Sequence, residues 1–291
     1  MTADSTANKP SVDSELERTL NGIGIPPRPV IIDRITQEMR KDEPNFIHLG
    51  QLITADVSLA ASLIKMANSP YFGLQGRARS VNDALLMLGL KVTSRAIAGL
   101  SLRQAFPASP QLERFWSASA QTAVLSGWLV SVLETPGLHA DEAYTFGLFR
   151  DCGIPVLLRR FSNYEQTLVR ANDELELPFT QVEIEQYSTD HAMIGCLLAQ
   201  NWWLPEELCL AIRHHHDMQV IDSMDTSLPA TSLQMIAVSQ TAEYLLQLIT
   251  GLSHTCEWTK LGASCLRLLN ITQVELPELC KKAVEVLKTV E

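Results

Sequence analysis

The chain has 291 residues, 46% hydrophobic and 19% charged, which is the balance of an ordinary globular protein long enough to bury a sizeable core. A net charge of −10 and a sequence pI near 5.2 argue against bulk binding to nucleic acid or to an anionic membrane, both of which need a basic footprint. There is no unbroken apolar run of about 18 residues to span a membrane, and residues 1–13 lack the apolar segment of a signal peptide, so a cytoplasmic location is expected.

Residues 1–13 read as a disordered leader, followed by a short helix at 14–20 with Ser14 as N-cap and Glu17 at N3. Ile25-Pro26-Pro27-Arg28-Pro29 forces an extended turn, because proline fixes its own φ and restricts the residue before it. Helical spacing then puts Ile31, Ile32, Ile35 and Met39 on one side of a helix at 30–40. Helices follow at 45–55 and 59–68, the second ended by Asn68-Ser69-Pro70. Ser80 and Asp83 form a variant capping box for a helix that stops at Gly89, and another begins near Lys91. Further helices are predicted at 111–134, 140–150, 154–172, 180–201, 205–216, 228–251, 257–269 and 273–290. Pro205, Pro229 and Pro277 mark helix starts, and Pro178 precedes one. No strand-like alternation is evident, and 218–232 is the most linker-like stretch. The pattern predicts an all-α fold in two lobes, with a helical domain at 14–220 and C-terminal helices at 221–291 packed on it.

The six cysteines (Cys152, Cys196, Cys209, Cys256, Cys265 and Cys280) form no CxxC pair and sit in apolar helical stretches, which predicts reduced, buried thiols. Ser119, Ser126 and Cys152 lack the paired base that a nucleophile requires.

Four segments carry a resemblance: Pro26-Pro27-Arg28-Pro29, Asp56-Val57-Ser58-Leu59, Ala67-Asn68-Ser69-Pro70-Tyr71-Phe72, and the run from Ser80 to Gly89. Together they resemble the HDOD domain, an HD-related output domain of bacterial signalling proteins, over residues 19–217. The resemblance implies an HD-like multi-helix bundle and a regulatory role. Family members often sit behind receiver, sensory or cyclic-dinucleotide modules. This chain leaves no room for one upstream, so its input is expected from a partner or from the domain itself.

In the HD superfamily, His and Asp side chains from several helices hold divalent metal. Measured against that pattern, Ala118 stands where a ligating His is expected, and Arg150 replaces the His of the Arg150-Asp151 pair. Arginine offers donors only and stays protonated, so it repels a nearby cation. The superfamily's last Asp has no clear match in 235–245, where Glu243 is the nearest acid. His191, His214, His215 and His216 survive, but successive helical residues point about 100° apart, so three in a row cannot all face one pocket, although one or two could face inward. The expectation is a degenerate, non-catalytic site with no metal and no cofactor, its remnant pocket built from Arg150, Asp151, His191, His214 and His215. A weak metal site on His191 and His215 is one alternative. The other is a metal-dependent phosphohydrolase or phosphodiesterase acting on a nucleotide or cyclic dinucleotide, with His214 or Glu185 supplying missing ligands. The output is expected to be response-regulator-like, through a protein partner of a signalling pathway, with a small ligand allowed for and no membrane or nucleic acid.

Two other features stand out. Arg77, Arg79, Lys91, Arg95 and Arg103 form a local positive cluster that an anion or a partner could use, or that could be solvated arginines around an αα-hairpin. Trp202-Trp203 reads as a core plug before the Pro205 helix, or as a docking anchor.

Overall fold

The computed structural model describes residues 22–68, 77–223, 228–252 and 254–288. The expected leader, the 14–20 helix and the Ser69-Pro70 stop lie outside them. All regular structure among the described residues is helical.

In the first lobe, helices Val30–Met39, Phe46–Thr54 and Val57–Ala67 pack around the long helix Val81–Gln104. Polar caps start them: Asn45 accepts from the His48 N–H, and Asp56 from the Leu59 N–H. The Ser80–Asp83 capping box is reciprocal, with the Asp83 N–H on Ser80 Oγ (3.1 Å) and the Ser80 N–H on Asp83 Oδ2 (3.0 Å). Gly89 (φ 73°, ψ 169°) breaks the helical backbone at the expected stop, so Val81–Gln104 is two helical pieces joined at a kink. Val81–Gln104 is long and apolar enough by composition to span a membrane, but 56% of its most apolar window is buried inside the fold.

The second lobe is built on Pro110–Leu133 and Ala140–Phe149, which lie so close at Gly147 that an added Cβ would meet the Ala123 backbone at 2.8 Å. Ala230–Thr250 packs on both helices and is covered by Glu257–Leu269 and Leu276–Lys288. His191–Asn201 pairs with Glu206–His214, which docks onto Ala140–Phe149 and Ala230–Thr250. One continuous apolar core runs through both lobes, from Ile25 to Leu287. Trp202 lies fully inside it, and its indole N–H donates to Pro26 O at 3.2 Å, tying down the extended proline segment. Trp203 is exposed beneath the guanidinium of Arg28, 3.6 Å from its ring centre.

Several predicted helices are broken, each for a local reason. The 154–172 stretch splits into Ile154–Arg160 and Tyr164–Asp173, with Phe161 in extended backbone between them. The 180–201 stretch splits where Ser188 turns left-handed (φ 55°) and Asp190 caps a new start, accepting from the Met193 N–H at 2.7 Å. The 205–216 helix stops at His214, and the linker-like stretch contains the short helix Met218–Asp222, capped by Asp217.

Candidate metal centre

Four segments converge in the second lobe: the Asp151-Cys152-Gly153 turn, the start of His191–Asn201, the turn after His214, and helix Phe179–Tyr187. Glycine sets the approach. A Cβ on Gly153 would lie 2.0 Å from His191 O, and one on Gly195 would lie 3.2 Å from Cys152 Sγ. Two backbones thus pass in contact, and Asp151 comes up beside His191.

Asp151, His191, His215 and His216 each offer a ligand atom, and the four atoms lie within 4.8 Å of one another. His191 Nε2 is 3.2 Å from His215 Nε2 and 3.5 Å from Asp151 Oδ1, and the latter two are 3.2 Å apart. All three histidines use Nδ1 to donate outward. His191 donates to Glu183 Oε2 (2.7 Å), His215 to Ile212 O (2.7 Å) and His216 to Glu257 Oε2 (2.5 Å). An acceptor on Nδ1 fixes ring orientation and leaves Nε2 free, which is how ligating histidines are held. Glu183 is itself fixed by the Tyr164 hydroxyl and by the His191 backbone N–H.

Burial lowers the His191 pKa, but Glu183 and Asp151 outweigh it and hold the ring up at about 10. Burial drives His216 down to about 3 and lowers His215 as well. Burial raises the Asp151 carboxyl, yet Arg150 and the two histidines bring it well below the carboxylate range. One proton, on His191, therefore sits among several acceptor atoms. A divalent cation would satisfy all of them, and imidazole with carboxylate suits zinc, manganese or ferrous iron. The donor set fits a metal.

This overturns the expectation of a degenerate site without enzymatic chemistry. Ala118 and Arg150 line the cavity beside the cluster, but its four ligand atoms are assembled without them. Arg150 turns aside: its Nε donates to Asp151 Oδ2 (3.0 Å) and its Nη2 to Glu243 Oε2 (2.9 Å). Helix Glu206–His214 ends with His215 as its C-cap, still in αR backbone, and His215 and His216 both enter the cluster. His214 points away to Asp217 (3.4 Å), and Glu185 pairs with Arg170 at the surface. His216, Glu183 and Glu257 are the site residues that sequence reading missed.

A cavity of about 660 Å³ opens onto the cluster, lined by Arg114, Ala118, Arg150, Asp151, His191 and His216 among others. The positive cluster, by contrast, is mostly compensated. Arg95 is buried against Asp141 and Glu142, Lys91 lies 3.8 Å from Glu142, and Arg103 pairs with Glu113. Arg77 and Arg79 are exposed.

Helices from distant parts of the chain that bring histidines and an aspartate to one interior point define an HD-like all-α domain. The chain belongs to the HDOD family, whose domain matches residues 25–218. It is similar to an uncharacterized protein of Treponema pallidum (strain Nichols), 25% identical over 195 residues, and the match covers 67% of this chain and only 38% of that protein. Among solved structures, a protein of Shewanella amazonensis SB2B provisionally named a metal-dependent phosphohydrolase has TM-score 0.66 at 16% identity, covering 96% of this chain and 100% of that one. One from Marinobacter aquaeolei VT8, provisionally named a signal transduction protein, has TM-score 0.62 at 20% identity, covering 96% and 63%. At these identities the likenesses show the fold.

Proposed function

We propose that this chain is an HDOD signalling module whose interior holds one divalent metal ion and hydrolyses a phosphoester there. The observation that carries the reading is the outward anchoring of all three histidines by Nδ1, with Nε2 of His191 and His215 left facing Asp151 Oδ1. A bound divalent ion would supply an acidified water and polarise a phosphoryl oxygen.

The chain's own residues do the positioning. Glu183 and Glu257 orient His191 and His216. Arg150 occupies Asp151 Oδ2 and leaves Oδ1 to the histidines. Phe179 stacks on His216 (4.9 Å between ring centres) and meets His191 edge-on (5.2 Å), which limits water on that side. Family membership and the likeness to a provisionally named signal transduction protein support a place in a regulatory pathway with a protein partner.

Elemental analysis of protein purified without chelator tests the metal. Hydrolysis of p-nitrophenyl phosphate and bis(p-nitrophenyl) phosphate with Mn²⁺, Fe²⁺ or Zn²⁺ tests the chemistry. Stoichiometric metal and turnover, both lost in Asp151→Asn and His215→Gln, are expected. Metal-free protein with no saturable uptake would overturn the reading.

A further inference from the structure

The two departures from the superfamily pattern, Ala118 and Arg150, line the same cavity. Ala118 contributes only a methyl group to the Pro110–Leu133 wall of that cavity. Arg150 brings a guanidinium to the floor, only 4% exposed. That guanidinium has five N–H groups. Asp151 takes the one on Nε and Glu243 takes one on Nη2. Nη1 has no hydrogen-bond partner among the described residues and is not a sealed-off atom, and Arg150 lines the cavity. Unpaired N–H groups on a buried cation call for an acceptor, and a charged oxygen is the strongest one.

A second cation faces the same space. Arg114 lies on the cavity wall two helical turns from Thr122, is exposed, and makes no ion pair among the described residues. Most acids on the wall are already engaged. Asp151 and Glu243 hold Arg150, and Glu257 holds His216 and Lys260, while Glu165 makes no ion pair among the described residues. A volume of about 660 Å³ suits a small molecule rather than a macromolecule.

We propose that Arg150 Nη1 and Arg114 form a seat for the phosphoryl group of a small organophosphate, whose organic part fills the cavity beside Ala118. This names the substrate class of the site proposed above and rests on that reading for its catalytic meaning. The seat itself needs no metal. The replacement of a ligating histidine by arginine then exchanges a coordination position for a fixed anion contact.

The test uses the full chain stripped with chelator, titrated by calorimetry with phenyl phosphate and with inorganic phosphate. Wild-type protein should bind phenyl phosphate saturably, and inorganic phosphate more weakly. Arg150→Lys keeps a cation against Asp151 and Glu243 but loses the planar fork. It should weaken phenyl phosphate roughly 10–100-fold, the loss of a charge-assisted hydrogen bond. Arg114→Gln, at an exposed position, should weaken both ligands several-fold without changing the melting temperature. Ala118→Leu should block phenyl phosphate while sparing inorganic phosphate. No saturable binding by the wild type, or unchanged binding in folded Arg150→Lys and Arg114→Gln, overturns the seat. Equal affinity for the two ligands, unaffected by Ala118→Leu, overturns the organic half of the assignment. Metal content, measured separately on the same samples, reports on the metal centre alone, so either reading can fail without the other.

Discussion

His191 and Glu183 form a fully buried pair, with Nδ1 donating to Oε2 across 2.7 Å and neither side chain reaching solvent. The carboxylate fixes the ring so that Nε2 faces the cluster. Glu183→Gln keeps the volume and an acceptor oxygen but removes the charge that makes the imidazole a strong donor to metal. Loss of such a partner typically costs about 10–100-fold in metal affinity. Competition with a chelator should show that loss, with helicity unchanged. Wild-type affinity in Glu183→Gln would mean that His191 is not a ligand.

The metal-free protein should be least stable at the two ends of the pH scale. His191 is raised from 6.5 to about 10, so its contribution is full below pH 6.5 and is lost as pH climbs through about 10. Asp151 and Glu142 are lowered, so theirs is full above the ordinary 3.8 and 4.5 and disappears as pH falls below those values. Melting temperatures of chelator-treated protein across pH 3–10.5 should trace a plateau with both limbs. Glu183→Gln removes the main support of the His191 proton, so it should move the alkaline limb toward neutrality. An unmoved limb would assign the alkaline loss to other groups.

Gly153 sets the distance between the Asp151 turn and the His191 helix. A methyl there meets backbone, His191 O at 2.0 Å, which cannot swing aside as a flexible side chain does. Gly153→Ala should cost about 3 kcal/mol, the upper part of the overpacking range, and should lower metal affinity by parting Asp151 from His191. Gly22→Ala, where an added Cβ meets nothing within 4 Å, serves as the control and should be neutral. Urea titration reads the first effect and chelator competition the second.

What the sequence disclosed and what it hid divide along local and long-range lines. The Ser80–Asp83 box, the Gly89 break and the proline helix starts depend on neighbours within four residues, and each could be read from the chain. Ser188, an ordinary residue in the left-handed region, carries no such sign, so the sequence pattern runs unbroken through 180–201. The site suffered most. Asp151 and His191 were identifiable from the family resemblance, and the divergence of neighbouring residues in the histidine run holds, since His214 turns to Asp217 while His215 and His216 enter the cluster. Which two of the three rings turn inward is set by how the end of helix Glu206–His214 packs, and the run His214-His215-His216 does not itself mark it. Glu183 and Glu257 lie 8 and 41 residues from the histidines they hold. Only the tertiary fold brings them there.

Arg150 and Glu243 come from elements 93 residues apart and meet at 2.9 Å, with the guanidinium almost wholly buried. Removing one partner of such a pair strands the other, which costs about 3–5 kcal/mol. Arg150→Met and Glu243→Leu should each destabilise on that scale, and the double variant should cost clearly less than their sum. Arg103 and Glu113, more than half and half exposed, should couple by only about 0.2–1 kcal/mol in the same cycle. The consequence for metal is less direct. Glu243 is outside the set of four ligand atoms, yet it holds Nη2 away from them. In Glu243→Leu the freed guanidinium turns its donors wholly onto Asp151 and competes there with a metal ion. Metal affinity should therefore fall in Glu243→Leu and recover in the double variant, where no guanidinium remains to compete. If affinity stays low in the double variant, Glu243 acts on the metal directly and not through Arg150.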